Sequence, residues 1–380
     1  MFAEANLEYS LNLPSRCISS LPSSSETHRY VVGTCFTEGT YENQYNEIHV
    51  LKFDEELNEI ITEVIYSHKL GEIWCLNPCP KASDLVVTTG GVYGETWLWR
   101  FDDMDGVLNE EYNDSGNSNI DNKDMMQVCQ LESRGGRNVA MEWKPGDDGG
   151  MELAALSRSH ICHWDLHQEV LMGSTSLSGE ASALRWDPHS PSNIACSSSR
   201  NIAIFDTRSL QNGPINTLKG IHRRSITSLD YNPNRPHILV SSSEDSTIKF
   251  HDMRNPSIPL KICRGGHSHW VTNVKYNPFH DQLLLSTGTD SLVNLWRISS
   301  ISSAPLLELQ NPLDNDDDDE NNGNNEDSKP DVRVNKFEGQ DSIYDVAWSC
   351  ADAWSYCSVG FDGNVVLHHV PSQEKYKILL

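Results

Sequence analysis

The feature that most constrains the fold is a short pattern that repeats along the chain. An alternating apolar stretch ends in an aromatic residue and leads into a turn that often contains Pro, as in residues 226–233 and 271–278. In four successive copies the aromatic residues are 43, 45 and 45 residues apart, at Trp143, Trp186, Tyr231 and Tyr276. A period of this length predicts similar supersecondary units that bury their apolar faces against one another.

A second series of positions has the same period. About 20 residues after each anchor of the first series, an apolar strand ends in an aromatic residue or in His, often before Asp. The members are Trp99, Trp164 with Asp165, Phe205 with Asp206, His251 with Asp252, Trp296 and His368. Ser- and Thr-rich strands and tight turns lie between the two series. Four short strands in each unit, with period-2 alternation, predict the blades of a β-propeller.

Weaker copies at residues 7–9, 73–80 and 343–348 bring the number of blades to seven. We therefore predict an all-β, seven-bladed propeller in which residues 1–380 form one domain. A closed ring leaves no long sheet edge exposed, and its closure usually needs one blade built from both ends of the chain. Either Tyr376–Leu380 or the residues around Cys17 and Ile18 could supply the closing strand.

The acidic charge of the chain is concentrated in two segments. The chain has 54 Asp and Glu residues against 29 Lys and Arg residues, a formal net charge of −25. Residues 102–124 and 314–331 contribute 15 of the excess negative charges and contain few apolar residues. We predict that both are disordered acidic loop insertions in the propeller, which either only aid solubility or dock a basic partner.

The same composition excludes several classes of function. The negative balance disfavours a protein that coats nucleic acid or binds an anionic membrane surface. No apolar run approaches the ~18 residues that span a bilayer, and the first residues lack the pattern of a secretory signal. Ten Cys residues without a CxxC pair suit reduced thiols. We expect a cytoplasmic, monomeric protein with no nucleic-acid partner and no direct membrane insertion.

Individual repeats contain elements typical of WD40 blades. Gly266–His267 opens one repeat, Asp245 and Asp290 lie in tight turns, and Trp164–Asp165 ends a strand. Longer stretches carry a closer likeness, at residues 266–278, 281–285, 299–303, 71–74 and 376–380. With these stretches, essentially the whole chain resembles the family of EARP- and GARP-complex-interacting WD-repeat proteins.

The resemblance implies a WD40 propeller that acts as a non-enzymatic adaptor and needs no cofactor. It implies that subunits of the EARP and GARP vesicle-tethering complexes are the partners. It also implies peripheral recruitment to endosomes and the trans-Golgi network through these partners, in support of endosomal recycling and endosome-to-Golgi retrograde transport. Two features depart from the pattern, because His251 and His368 occupy the aromatic position and the first acidic loop is longer and richer in Asn.

A set of polar residues recurs with the repeat. The set is His222, Ser243 and Asp245 in one blade, and His267, Thr287 and Asp290 in the next. A hydrolase triad uses similar residues, but a catalytic site occurs once, whereas this set repeats. We therefore predict a structural hydrogen-bond network, which the resemblance to WD40 proteins implies as a link between turn and strand. The predicted structural set also includes Trp164, Asp165 and Trp296.

No metal site is predicted. His160, Cys162, His163 and His167 are close in sequence, but alternation along a strand places Cys162 and His163 on opposite faces. A zinc site needs four converging ligands, which this segment does not bring together.

A propeller without catalytic residues functions by binding, and its loops and channel mouth present side chains at fixed positions. The candidate binding residues at strand starts and adjoining loops are Glu72, Trp74, Arg223, Arg224, Trp270 and Tyr344. We expect Trp270 to be exposed, because the neighbouring blade has Ser225 at the same place and ring packing therefore does not fix this position. Exposed aromatic residues are typical interface anchors.

Two other binding functions remain open at this point. Residues 206–208 and 252–254 resemble the Trp-Asp-x-Arg box of WD40 substrate receptors for cullin–RING ubiquitin ligases. The resemblance makes Arg208 and Arg254 candidate contacts to the ligase adaptor, although both copies lack the Trp and Asp-x-Arg also caps turns. An import receptor for peroxisomal cargo has a similar fold as well.

Overall fold

Seven antiparallel sheets form the blades of a β-propeller in the computed structural model, which confirms the predicted fold class. The structure describes residues 6–22, 27–36, 45–55, 57–91, 94–102, 122–146, 151–256, 258–304 and 331–379. Residues 103–121 and 305–330, which make up most of the two predicted acidic insertions, lie outside the described residues. The extents of the domain and of its insertions therefore stay predictions.

The strands are numbered β1 to β29 in chain order. Blade 1, from the channel outward, consists of β2 (Ser15–Ser20), β3 (His28–Thr34), β4 (Asn46–Asp54) and β5 (Glu59–His68), with the short parallel β9 (Lys123–Asp124) at its edge. Blade 2 consists of β6 (Ile73–Cys79), β7 (Ala82–Gly90), β8 (Glu95–Arg100) and β10 (Met126–Leu131). Blade 3 consists of β11 (Asn138–Trp143), β12 (Glu152–Ser157), β13 (His160–Asp165) and β14 (Val170–Ser176).

The remaining blades follow the same order. Blade 4 consists of β15 (Leu184–Trp186), β16 (Asn193–Ser198), β17 (Asn201–Asp206) and β18 (Asn216–Leu218), with a 3-10 helix at Thr207–Asn212. Blade 5 consists of β19 (Ile226–Tyr231), β20 (Ile238–Ser243), β21 (Ile248–Asp252) and β22 (Lys261–Cys263). Blade 6 consists of β23 (Val271–Tyr276), β24 (Leu283–Gly288), β25 (Leu292–Ile298) and β26 (Asp331–Glu338). Blade 7 consists of β27 (Ile343–Trp348), β28 (Ser355–Gly360), β29 (Asn364–His369) and β1 (Leu7–Ser10).

The core lies between the blades. The side chains on one face of each inner strand pack on the neighbouring blade. Val271 and Val274 of blade 6 are fully buried and pack with Val240 and Phe250 of blade 5. The inner strands contact one another around the whole ring, in the order β2, β6, β11, β15, β19, β23, β27 and back to β2. The ring is therefore closed.

Both sequence candidates for the closing strand are wrong. The strand that closes the ring is Leu7–Ser10, which pairs with the third strand of blade 7. Cys17 and Ile18 instead belong to the inner strand of blade 1, which residues 7–9 were expected to form. The polar sequence of that strand, with Ser at both ends, hides it from a search for apolar repeats.

The tail forms a helix instead of a strand. This helix, α1, spans Ser372–Leu379. Its buried Glu374 forms an ion pair with Arg297 of blade 6, and its Ile378 packs on the apolar cluster between blades 6 and 7. One turn of helix brings these two side chains to the same side of α1, which an extended strand would not do.

The ends of the predicted insertions belong to the blades. Lys123 and Asp124 pair with the outer strand of blade 1, and Asp124 forms an ion pair with Lys69. Asp331 starts the outer strand of blade 6, forms an ion pair with Lys261 and accepts hydrogen bonds from Ser300. These three residues, at the C-terminal ends of the two predicted insertions, are thus paired with the blades.

Candidate functional site

One end of the strands forms what we call the upper face of the ring. It contains the loops that join the outer strand of one blade to the inner strand of the next, and the turns between the second and third strands of each blade. In six blades the inner strand has a β-bulge just after its first residue. Bulges re-aim side chains. The channel opening is lined by the second residue of each bulged strand and by Ser182, which precedes the short β15. These residues are Arg16, Trp74, Val139, Ser182, Thr227, Thr272 and Tyr344.

Small residues at this level join neighbouring blades. The hydroxyl groups of Ser182, Thr227 and Thr272 each donate a hydrogen bond to the first backbone carbonyl of the next inner strand. This repeated contact occupies half of the opening, so these three hydroxyl groups have a structural role. The larger residues are left to form the other half.

Arginine and aromatic residues stack at that other half. The indole of Trp74 lies between two guanidinium groups, with 4.2 Å from its ring centroid to Arg16 and 3.9 Å to Arg137. Arg16 also lies 4.4 Å from the ring centroid of Tyr344, and the indole N–H donates to Glu72 Oε2 at 2.7 Å. We call Arg16, Glu72, Trp74, Arg137 and Tyr344 the channel-mouth cluster. Cation–π contacts of this kind hold guanidinium groups in place while their edges stay available for hydrogen bonds.

The electrostatics of the cluster are uneven. Burial lowers the pKa of Arg137, while Glu72 raises it and Arg16 lowers it further. Only one carboxylate, Glu72, accompanies the two guanidinium groups within the cluster, at 3.7 Å from Arg137. The cluster therefore carries a net positive charge at the edge of the channel.

Deeper in the channel, acidic and basic residues alternate from blade to blade. Arg185 lies between Glu142, at 3.2 Å, and Asp230, at 3.3 Å, and Lys275 forms an ion pair with Asp345 at 3.0 Å. Burial raises the pKa of Glu142 to about 7, although Arg185 and a backbone N–H lower it. Each carboxylate also accepts a backbone N–H of the next blade, from Trp186, Tyr276 and Ile18. These charges are satisfied within the ring and hold its blades together.

The remaining candidate binding residues lie farther out on the upper face. Trp270 is 41% exposed and stacks on His269 with 5.4 Å between ring centroids. Its backbone carbonyl accepts a hydrogen bond from Thr289 N, which fixes the loop. Arg223 and Arg224 are exposed in the matching loop of blade 5. The structure thus brings Glu72, Trp74 and Tyr344 together and places Arg223, Arg224 and Trp270 in two neighbouring loops.

Sequence reasoning missed the two arginines of the channel-mouth cluster. Arg16 follows the first residue of its inner strand, as Trp74 and Tyr344 do in theirs, so an alignment of inner strands finds it once β2 is placed correctly. Arg137 stands one residue before its inner strand, at the position of Trp270 and Ser225, where the residue type varies between blades and gives no repeated signal.

The predicted hydrogen-bond network exists around different hydroxyl groups. His267 Nδ1 contacts Asp290 at 3.0 Å and its Nε2 contacts Ser286 Oγ at 2.8 Å, and the indole N–H of Trp296 donates to the same hydroxyl. Thr287 points to the other face and bonds Thr272, because successive side chains alternate. The hydroxyl group of the network in this blade therefore belongs to Ser286 and not to the predicted Thr287.

The preceding blade has the same arrangement. His222 contacts Asp245 through Nδ1 and Ser241 through Nε2, and His251 occupies the place of the tryptophan, 3.2 Å from the same hydroxyl. Ser243 lies closer to the turn, where its hydroxyl bonds the backbone instead, so it is corrected to Ser241. Burial lowers the pKa of His251 to about 3, which keeps this ring neutral.

Blade 2 contains a network that the sequence search missed. His68 Nε2 contacts Thr88 Oγ1 at 3.1 Å, and the Trp99 indole donates to that hydroxyl at 2.8 Å. His68 stands 31 residues before Trp99, close to the 29 residues between His267 and Trp296, so the spacing could have revealed it. The expected residues Trp164 and Asp165 behave differently: Trp164 is buried in the core, and the Asp165 carboxylate caps the turn that follows.

Arg208 and Arg254 lie at the other end of the strands. Each guanidinium group closes on the carboxylate two residues before it, Asp206 or Asp252, with one bond of 3.0 Å and one of 2.7 Å. This is a local turn arrangement that repeats in two blades, and no observation favours the ligase hypothesis over it.

Comparison with known proteins gives the family. The EIPR1 beta-propeller family matches residues 3–296, which is most of the chain. The chain belongs to the EIPR1 beta-propeller family. EARP and GARP complex-interacting protein 1 is 33% identical to it in both Rattus norvegicus and Homo sapiens, over 99% of each chain. WD repeat-containing protein DWA2 of Arabidopsis thaliana is 28% identical over 96% of this chain and 97% of its own. The resemblance found in the sequence is confirmed.

The stretch that matches the EIPR1 beta-propeller family contains most of the candidate site. Arg16, Trp74, Arg137 and Trp270 lie within it. Tyr344 lies beyond its end, in a part of the chain that only the similarity to the full-length relatives covers. Among the described residues, no three His, Cys, Asp or Glu side chains are grouped to hold a metal ion. A search of the same residues finds no helix with the length and apolar character needed to cross a membrane.

Proposed function

We propose that this propeller is a non-enzymatic adaptor that binds the EARP and GARP tethering complexes. The observation that carries the proposal is the near-complete coverage by relatives named for that interaction, 99% of each chain. The similarity spans every blade, so it reaches both the scaffold and the surface that the scaffold presents. A likeness limited to the repeat motif would have supported the fold alone.

The upper face is the proposed binding surface. It combines an exposed aromatic side chain, Trp270, with the stacked arginines of the channel-mouth cluster, and such residues dominate the energy of protein interfaces. The backbone around Trp270 is fixed by hydrogen bonds to Thr289, so little conformational entropy is lost when a partner covers it. The candidate contacts remain Glu72, Trp74, Arg223, Arg224, Trp270 and Tyr344.

A binding function fits the polar residues of the ring. The His–hydroxyl–acid contacts recur in blades 5 and 6, and their groups are used to fix turns to strands. The charged residues of the channel are paired within the ring. The proposal therefore assigns no reaction and no cofactor to this chain.

The partners would determine where the protein acts. We propose that a monomeric propeller is recruited peripherally to endosomes and the trans-Golgi network by the tethering complexes. It would there support endosomal recycling and endosome-to-Golgi retrograde transport. The proposal needs no membrane contact by the propeller itself.

Affinity purification with quantitative mass spectrometry tests the proposal. The tagged chain should recover EARP or GARP subunits after gentle lysis, and Trp270→Ala should reduce their recovery. Phe279→Ala is the matched control, because Phe279 is also exposed, at 47%, but follows the inner strand of the same blade at the opposite end. Failure of the unmodified chain to recover any tethering subunit would refute the proposal. Equal loss in both variants would place the contact away from the upper face.

A further inference from the structure

The upper face of blades 3 to 6 carries an excess of basic residues on a chain whose net charge is −25. Seven exposed Lys and Arg residues stand in the loops and turns of this sector. We call them the basic arc: Arg134, Arg158, Arg200, Lys219, Arg223, Arg224 and Arg264. The same loops contain four acidic residues. Glu132 and Glu180 are exposed, Glu244 is half-buried, and the carboxylate of Asp245 contacts His222.

The basic arc forms no ion pair with the described residues of the chain. Within the described part of the chain, Arg134 is the one member of the arc with a side-chain hydrogen bond, to Ser174 Oγ at 2.9 Å. Many basic residues elsewhere form ion pairs, for example Arg100 with Asp84, Arg208 with Asp206 and Arg297 with Glu374. Acids outnumber bases almost two to one, so a group of bases that forms no ion pair with the described residues reflects the arrangement of this surface and not the composition.

The backbone under the arc is held in place. The carbonyl of Arg158 accepts Ala181 N at 3.0 Å, and the carbonyl of Arg200 accepts Ile221 N at 3.0 Å. The carbonyls of Arg134 and Arg224 accept the hydroxyl groups of Ser157 and Ser243. Each of these basic side chains therefore extends from a fixed point, which lowers the entropic cost of binding an anionic partner.

The charges converge at blade 5. Burial lowers the pKa of Lys249, Asp245 opposes this shift, and Arg264 and Arg223 lower the pKa further. These like charges repel one another in the free protein, and an anion placed among them would relieve that repulsion. The arc also lies between two aromatic positions, with Trp74 against Arg137 at one end and Trp270 at the other.

We propose that the basic arc binds an acidic segment of a partner protein, laid along the upper face with apolar side chains at Trp270 and the channel mouth. The inference deepens the proposed function and rests on it for the identity of the partner, a tethering subunit. A protein segment is favoured over nucleic acid or an anionic membrane, because the field of a chain with a charge of −25 repels extended polyanions. Charged contacts on a short segment act within a Debye length, about 8 Å at physiological salt, where the local arc dominates.

Fluorescence anisotropy with the purified full chain tests this inference. The probe is a labelled peptide in which Asp and Glu alternate with Leu and Phe, and its control has Asn and Gln in place of the acids. The acidic peptide should bind at least about tenfold more tightly than the control, and its affinity should fall as salt rises above the physiological range. Arg223→Ala with Arg224→Ala should weaken the acidic peptide about tenfold, as expected for the loss of two charge-assisted contacts.

Arg208→Ala with Arg254→Ala is the matched control variant, because it removes the same charge from exposed arginines at the opposite end of the strands. Equal binding of the two peptides, or equal weakening by both double variants, would overturn the inference. So would tighter binding of a single-stranded oligonucleotide or of phosphatidylserine vesicles than of the acidic peptide.

The two proposals can fail separately. Recovery of tethering subunits that is unaffected by Arg223→Ala with Arg224→Ala, together with no peptide binding, would overturn the basic arc and leave the proposed function standing. Specific binding of the acidic peptide, without recovery of tethering subunits, would support the basic arc and refute the proposed partner.

Discussion

Replacing Asp290 by Ala tests the structural interpretation of the repeated polar residues. The carboxylate accepts hydrogen bonds from His267 Nδ1 at 3.0 Å and from Ser268 N at 2.7 Å. The His267 side chain is 1% exposed, so its ring N–H loses its partner where water cannot replace it. An unsatisfied buried donor costs about 1–3 kcal/mol, and the exposed Ser268 amide adds roughly 0.5 kcal/mol. We expect Asp290→Ala to lower the free energy of unfolding by about 2–3 kcal/mol.

Urea unfolding followed by tryptophan fluorescence measures this loss, and blade 7 supplies the matched control. Asp362 occupies the equivalent turn, where its carboxylate accepts hydrogen bonds from the backbone N–H and the side-chain amide of Asn364. Asp362→Ala therefore leaves no buried histidine without a partner and should cost about 1 kcal/mol or less. Equal losses in the two variants would refute the view that the histidine contact carries the stability.

The dependence on pH gives a second readout. Burial opposes ionisation of Asp290, but His267 and the backbone N–H groups outweigh it and hold the carboxyl pKa below its ordinary value. A lowered folded-state pKa adds stability that is present above the unfolded pKa of about 3.9 and is lost as pH falls through the folded value. The difference in stability between the native chain and Asp290→Ala should therefore shrink below about pH 4. A difference that grows with acid would contradict the assignment.

Three further changes test other parts of the molecule. Trp270→Ala should weaken binding of the tethering complex by about 30-fold, because truncation of an anchor costs ~2 kcal/mol, and should leave the melting temperature unchanged. Early melting with normal binding in the cold would show that Trp270 is a core residue. Deleting residues 314–330 should change the melting temperature by less than about 2 °C in differential scanning fluorimetry. Ser300 contacts Asp331, so the remaining loop can still connect them. A larger drop would mean that the segment packs on the blades. Glu374→Ala should cost about 3 kcal/mol in urea unfolding, since it removes a buried ion pair with Arg297. A change below about 1 kcal/mol would show that α1 contributes little.

The blades could be predicted from the sequence because the repeat fixes their phase. Val271 and Val274 lie at positions that face the preceding blade, and both are fully buried there. The closing strand could not be predicted in this way, because Leu7–Ser10 is edge-paired and only partly buried, so its pattern is weak. The helix of the tail could not be predicted either, since the Glu374–Arg297 ion pair and the packing of Ile378 hold it against the blades, and no local pattern reveals these contacts.

The candidate site was only partly predictable for a related reason. The strand starts that carry Trp74 and Tyr344 follow from the repeat, but the arginines beside them do not. Arg16 was hidden by the wrong placement of the first inner strand, and Arg137 stands at the position before the inner strand, where the residue type varies from blade to blade. Stacking between blades depends on side chains far apart in sequence, so it emerges only when the ring is assembled.

The net charge of this protein is a poor guide to its partners. The total of −25 argues against nucleic acid and anionic membranes, yet it averages over two different ends of the ring. At the lower end, bases such as Arg208 and Arg254 are neutralised by their own neighbours. On the upper face the basic arc has no such neighbours among the described residues, so a short acidic segment meets unpaired positive charge at contact distance although the whole chain repels it at long range.

Association should therefore be slow at low salt, where repulsion reaches far, and faster at moderate salt, where screening removes the repulsion before it weakens the contacts. Stopped-flow measurement of the association rate with the acidic peptide between about 10 and 150 mM salt would reveal this maximum, and a rate that only falls with salt would show that the arc dominates the field at every distance.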